Sequence, residues 1–337
     1  MKKLQMLLVI CLVMVFTLTA CSQPADTSAK AEGGSEAEQP KQEEVAHLVI
    51  STGGTSGSYY PVGGAIANVV SKYAKGVNIT AQTSGGSIEN LKLIEKGQSE
   101  FGLAQNDLAD YAIKGIQLFD TKLEKIRAIA ALYPEYIQIA VRTDKGINSI
   151  SDLKGKKISV GAPGSGSEAN CRQFLELLGV PYESFEPQFL ENTDAANQFK
   201  DNVIDGFIIT SGLPSPAIQE IATTKGVKII GFSKEEAEKI NKQWPFLTAE
   251  PIPANSYKDQ TEELITMAAK SAIFVSADVS EDVVYKFTKA LWENQTEMEQ
   301  ANAKAKHMKK DNPLEGITVE PHPGALKYYN EIGVKVN

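Results

Sequence analysis

The chain has 337 residues, 42% of them hydrophobic and 23% charged, with a formal net charge of −8 and a pI ≈ 5.2. So acidic a chain argues against nucleic acid as a partner, and its three cysteines and three histidines show no spacing that would hold a metal. The residues from 47 onward suffice for two lobes, each with its own core.

Met1-Lys2-Lys3 is a short basic start, and Leu7 to Leu18 is apolar apart from Cys11 and Thr17. That run is short for a membrane span and fits the core of a signal peptide over residues 1–20. It ends at Leu18-Thr19-Ala20-Cys21. Small residues before a cysteine, directly after an apolar run, resemble a bacterial lipobox, which implies cleavage before Cys21 and its diacylation. The acyl chains would hold the protein to the lipid bilayer by burying methylenes, at roughly 0.8 kcal/mol each. Cleavage would take Lys2 and Lys3 with it and move the net charge from −8 to −10. Only Cys21 and Cys171 would remain, so with Cys21 acylated no internal disulfide forms. Residues 21–46 carry almost nothing bulky and read as a flexible tether. No second apolar run approaches membrane-spanning length, so the rest is expected to be soluble.

His47 to Ile50 reads as a short buried strand, followed by a Gly- and Ser-rich turn over 51–60 and a helix. Pro61 suits the first helical turn, and Val62, Ala65, Ile66, Val69, Val70 and Tyr73 recur at helical spacing. Val77 to Gln82 reads as the next strand, 83–87 as a turn, and Ser87 as the N-cap of a helix carrying Ile88, Leu91 and Ile94 and ending near Gly97. A strand over Phe101 to Ala104 leads through Gln105-Asn106-Asp107 into another helix. Residues 136–142 alternate as a strand, and Lys157 to Val160 forms another. The turn 161–167 then precedes a helix with Cys171, Phe174, Leu175 and Leu178 on one face and Gly179 at its end. A further strand–helix unit passes through 205–214, the chain turns extended near Thr248 to Pro253, and the remainder reads as mostly helical, with Val283, Val284, Phe287 and Leu291 on one stripe. Repeated strand–helix units predict parallel sheets covered by helices. Changes of pattern near 135–142 and 248–254 imply two crossings between lobes. Lobe 1 is then residues 47–138 plus 252–337, and lobe 2 is residues 139–251.

Four strand-to-helix turns combine glycine with hydroxyls, at 51–60, 83–87, 161–167 and 210–214. Glycine lets backbone approach a ligand closely, and free N–H groups at a helix start favour an anion. Open α/β sheets bind ligands at the carboxyl ends of their strands, where such turns lie. Four of them in two lobes point to binding rather than to loop geometry alone.

The runs STGGTSGSYYPVGGAIANVV (51–70), TSGGSIENLKLIEKGQSEFGLAQNDLADYA (83–112), LYPEYIQIAV (132–141) and SVGAPGSGSEANCRQFLELLG (159–179) resemble the TAXI family. IDGFIITSGLPSPAI (204–218) and HPGALKYYNEIG (322–333) fit the same pattern, so the resemblance covers 47–337. TAXI proteins are solute-binding subunits of tripartite ATP-independent periplasmic (TRAP) transporters. The resemblance implies a type II periplasmic-binding-protein fold, with two discontinuous α/β lobes around a ligand cleft. It implies glutamate, glutamine or a dicarboxylate as ligand, and a TRAP-type membrane permease as partner.

Carried onto this chain, the resemblance offers Gly54, Thr55, Ser56 and Tyr59 from the first turn and Ser84, Gly85, Gly86 and Ser87 from the second. Gln105 and Asn106 reach in from the third, Gly164, Ser165, Gly166 and Ser167 form an anion cradle in lobe 2, and Thr210, Gly212 and Pro214 close the wall. Tyr133 and Glu135 lie near the crossing and either bind an ammonium group or shape the hinge, while Tyr60 is either site or core. The only arginines are Arg127, Arg142 and Arg172. Arg172 pairs naturally with Glu168 four residues earlier and Arg142 reads as solvated, so capture is expected mainly by backbone N–H groups and hydroxyls.

Other motifs are weaker. Ser151-Asp152-Leu153-Lys154 matches Ser-x-x-Lys, but no Ser-Asp-Asn or Lys-Thr-Gly follows. His47, His307 and His322 lie outside the Gly-rich turns, and Cys171 belongs to an apolar helix face. The expected protein is therefore a monomeric, extracytoplasmic, lipid-anchored solute-binding protein of a bacterial cell membrane. It takes a small organic anion or amino acid, needs no cofactor and is not an enzyme. A sensing module for a membrane signalling partner and an exported serine hydrolase are the alternatives.

Overall fold

A computed structural model of the chain describes residues 45–336. The expected signal peptide, Cys21 and all but the last two residues of the tether lie outside the described residues. In chain order the elements are β1 (Ala46–Ser51), α1 (Tyr59–Tyr73), β2 (Val77–Gln82), α2 (Ser87–Glu95), β3 (Phe101–Gln105), α3 (Asn106–Lys114), β4 (Ile126–Arg142), β5 (Lys157–Ser159), α4 (Gly166–Leu177) and β6 (Glu186–Gln188). There follow α5 (Asn192–Lys200), β7 (Gly206–Ser211), α6 (Pro216–Ala222), β8 (Val227–Ile230), α7 (Lys234–Gln243), β9 (Thr248–Ile252), β10 (Leu264–Ser276), α8 (Glu281–Glu293), α9 (Gln295–Ala301) and α10 (Pro323–Glu331).

The strands form one sheet in the order β2-β1-β3-β10-β4-β7-β5-β6, with β8 on β4 and β9 on β10. β1, β2 and β3 pair in parallel, as do β5, β6 and β7. The two groups are joined by antiparallel strands, since β10 runs against β3 and β4, and β4 runs against β7. The expectation of parallel sheets holds for each group and fails at the centre. Both long strands serve two neighbourhoods. β4 pairs with β10 up to Tyr136 and with β7 from Tyr136 onward, and β10 pairs with β9 before Ala268 and with β3 after Lys270.

Two expectations needed correction here. The stretch 264–276 lies within the part read as mostly helical, yet it is the 13-residue strand β10. β4 begins ten residues earlier than the strand read at 136–142. Both segments, LITMAAKSAIFVS and IRAIAALYPEYIQIAVR, are rich in alanine and buried on both faces. A strand buried on both faces shows no polar–apolar alternation, and alanine mimics a helix former.

Helices cover both groups. α1, α8 and α10 pack on β1 to β3 around Ile50, Ile66, Phe101, Phe287 and Tyr328, and Phe101 stacks on Phe287 at 4.5 Å between ring centroids. α4 and α7 cover β5 and β7 around Ile158, Phe174, Ile208 and Ile240, with Cys171 fully buried among them. Each such side chain, fully buried, contributes about 1.5–3 kcal/mol. His322 caps the last helix: its Nδ1 accepts the Gly324 N–H at 3.1 Å at the start of α10.

Candidate functional site

The Gly-rich turns of both groups converge on one small cavity of ≈ 50 Å³. Of the expected residues, Gly54, Tyr59, Gly85, Gly86, Ser87, Gln105, Glu135, Ser165, Gly166, Ser167 and Thr210 line it. Gly53, Gly57, Ser58, Ala162, Glu191, Asn192 and Ser211 line it too and were not foreseen. Gly53, Gly57, Ser58, Ala162 and Ser211 lie inside turns already singled out, as residues not themselves named. Glu191 and Asn192 follow β6 in a turn without glycine, which left no pattern to read.

The remaining expected residues are engaged elsewhere. Thr55 is exposed, and Ser56 Oγ meets Thr193 Oγ1 at 2.7 Å. Ser84 Oγ donates to Asn90 Oδ1 at 2.6 Å. Asn106 donates to the Gly316 carbonyl at 2.9 Å and accepts the Lys270 N–H at 3.0 Å, which ties β10 to the start of α3. Tyr133 and Gly212 line a different groove beside Lys304, and the Pro214 carbonyl accepts from Lys304 Nζ at 3.4 Å. Tyr60 is 38% exposed and is neither core nor cavity wall. Arg127 binds the Glu124 and Ile126 carbonyls, Arg142 pairs with Asp144 at 2.7 Å and is only 15% exposed, and Arg172 pairs with Glu168 at 2.6 Å. Arg142 is thus paired rather than solvated, and no arginine reaches the cavity.

The helix ends differ in what they offer. A helix leaves its first N–H groups without intrahelical partners. At α2 these are occupied, because the Gly164 carbonyl accepts the N–H groups of Ile88 at 3.1 Å and Glu89 at 3.3 Å. Gly164 therefore closes the cavity from α2 instead of cradling an anion, and α2 offers its loop glycines and Ser87 only. The starts of α1, at Ser58 and Tyr59, and of α4, at Gly166 and Ser167, lie on the cavity wall. Ser165 caps α4 by accepting the Glu168 N–H at 3.1 Å, and Ser167 Oγ accepts the Thr210 N–H at 2.9 Å. These two ends form the electropositive wall.

The cavity wall also holds a carboxyl. Glu135 is 3% exposed and accepts the Tyr59 hydroxyl at 2.6 Å. Burial pushes its pKa up to about 8, against the pull of the Tyr59 hydrogen bond and of Lys304. Tyr59 also meets Ser87 Oγ at 3.2 Å, and Ser87 Oγ accepts the Gln105 N–H at 3.2 Å. Glu191, at the rim, is raised by its own burial and by Glu89 and Asp194. Two buried acceptors on the wall have no partner, Gln105 Oε1 and Thr210 Oγ1. Among the described residues that line the cavity, none is arginine, lysine or histidine.

Residues 50–333 match the NMT1-like family. Among solved structures, the chain is similar to a protein from Listeria monocytogenes described as an L-cystine ABC transporter, at 16% identity and a TM-score of 0.50, over 77% of this chain and 95% of that one. It is also similar to a protein from Bordetella bronchiseptica RB50, at 17% identity and a TM-score of 0.50, over 87% of this chain and 90% of that one. At such identity the likeness carries the fold alone, and that fold is the type II periplasmic-binding-protein fold: two α/β lobes around a ligand cleft. Among the described residues no helix is long and apolar enough to cross a membrane.

Proposed function

The chain belongs to the NMT1-like family, and we propose that it is an extracytoplasmic solute-binding lipoprotein that closes its two lobes on a small amino acid and hands it to a membrane permease. The observation that carries this reading is the polarity of the cavity. The starts of α1 and α4 share the cavity wall with a buried Glu135, and no arginine or lysine is among the lining residues. A carboxylate suits the helix ends and an ammonium suits Glu135. A zwitterion satisfies both, whereas a dicarboxylate would bring a second negative charge to Glu135. Glutamine and glutamate thus fit better than a simple dicarboxylate, and a cavity this small admits the ligand only as the lobes close around it. The lobe limits proposed are 47–138 with 252–337, and 139–251.

The partner we propose is a TRAP-type permease, on the strength of the sequence motifs described above. Ser165 Oγ is engaged as a helix cap and no histidine lines the cavity, which favours binding over serine-based hydrolysis. Titration calorimetry with L-glutamine, L-glutamate and succinate tests the reading. Saturable heat with an amino acid and none with succinate is the expected result, and binding of succinate alone would overturn it. The lipid anchor has its own test. Cys21→Ala is expected to move the protein from the detergent-rich to the aqueous phase on phase partition of cells, and unchanged partition would remove the anchor.

A further inference from the structure

Ser58 Oγ meets Ser211 Oγ at 2.8 Å across the cleft, a direct contact between two lining hydroxyls. Gln105 is different. It ends β3, is 1% exposed, and its two amide atoms face in different directions. Oε1 is a buried acceptor without a partner on the cavity wall. Nε2 donates to Asn170 Oδ1 at 2.9 Å. Asn170 sits on α4, in the other lobe, and is fully buried. Its Nδ2 donates in turn to Asp107 Oδ2 at 3.1 Å, back in the first lobe. Asn170 is thus gripped from β3 and from α3 at once, with one bond taken as acceptor and the other made as donor. An asparagine can do both. Next to it, Ala169 of α4 belongs to the same buried apolar cluster as Leu91 of α2 and Leu108 of α3.

We propose that Asn170 is the latch of the cleft: a ligand group that donates to Gln105 Oε1 orients the Gln105 amide, which then holds Asn170, and Asn170 ties α4 to Asp107. Occupancy of the cavity is converted into closure along that chain. The proposal rests on the cavity being the ligand site. Asn170 touches no ligand and acts as a positioning residue. Asp107 is a suitable far anchor because it is fully buried, its carboxylate receives the asparagine N–H, and a buried polar group that loses its partner is destabilised.

The test uses the full chain with spin labels on two exposed positions, Lys75 in the first lobe and Glu183 in the second. The distance between them is measured without ligand and with saturating L-glutamate, and the release rate of L-glutamate is measured by stopped flow. Asn170→Ala is expected to reduce the closed population and to speed release on the order of tenfold to a hundredfold, as loss of hydrogen bonds to a buried charged group would do. Asn170→Asp is expected to be as poor, because it sets two carboxyls against each other. The exchange Asp107→Asn with Asn170→Asp re-creates one donor facing one acceptor and is expected to recover both readings. A packing role alone would give no such rescue, since the two side chains have nearly the same shape. Distances and release rates in Asn170→Ala equal to those of the native chain would overturn the latch, as would an exchange no better than Asn170→Asp. If L-glutamate does not bind the native chain, the ligand reading fails on that count, and the ligand-free distances still decide the latch.

Discussion

Replacing Gly166 with valine is expected to abolish binding of any amino acid that the native chain takes in calorimetry, while the thermal midpoint of the ligand-free protein stays within a degree or two of native, a change of about 1 kcal/mol or less. The reason is steric. A Cβ placed on Gly166 would lie 2.0 Å from Gln105 Oε1, 2.6 Å from Gln105 Cδ and 3.0 Å from Ser87 Oγ. A flexible side chain could step aside from such a clash, but Gln105 is buried and tied through Nε2 to Asn170. The collision is made between lobes. The atoms valine would strike, on Gln105 and Ser87, belong to the other lobe and would move away as the cleft opens, and the backbone at Gly166 needs no positive φ. The loss should therefore appear in closure and affinity, not in folding. Even Gly166→Ala introduces the offending carbon and should weaken binding roughly tenfold to a hundredfold, because overpacking of a close-packed contact is worth about 1–3 kcal/mol and Gln105 Oε1 is lost to the ligand as well. Retained binding in Gly166→Val would remove the start of α4 from the site.

What the sequence revealed of the site follows from the physics of its turns. Gly54, Gly85, Gly86 and Gly166 were legible because close backbone approach needs glycine, and Ser165 and Ser167 because helix starts need caps. Glu191 and Asn192 enter the cavity from a turn that needs neither, so no pattern marks them. Ser84 and Asn106 carry the right chemistry, yet local partners claim both side chains. The start of α2, expected like the other turns to offer free N–H groups, fails to do so for a tertiary reason. Its N–H groups are taken by the Gly164 carbonyl, which a one-dimensional reading places 75 to 76 positions away in another unit. The central strands were hidden by burial on both faces, and with them the antiparallel joint that sets Glu135 between the lobes. The scarcity of arginine was the most informative compositional fact. It left helix ends to hold the anion and made the single buried carboxyl of the wall the feature that decides charge.

That carboxyl gives the second large effect. Glu135→Gln keeps the shape of the side chain and removes its negative form. For an amino-acid ligand the expected loss of affinity is on the order of 10²–10³-fold, since breaking a buried pair leaves an uncompensated ammonium at about 3–5 kcal/mol, part of which the glutamine oxygen recovers. Stability without ligand should move the other way. Burial raises the Glu135 pKa from 4.5 to about 8, so between these values the closed protein holds a proton that the unfolded chain has released. The native state binds more protons, and stability must fall as pH rises through that window. At about 1.4 kcal/mol per pH unit the whole window amounts to roughly 5 kcal/mol, an upper bound because opening the cleft hydrates Glu135 without unfolding. Glu135→Gln removes this slope. Denaturant unfolding from pH 6 to pH 8 should thus show the native chain losing more stability than the variant, with the variant ahead at pH 8. An ammonium-bearing ligand reverses the balance in the native chain, because it stabilises the charged carboxylate and displaces the proton. A variant that kept full amino-acid affinity would mean that Glu135 shapes the hinge and never meets the ligand.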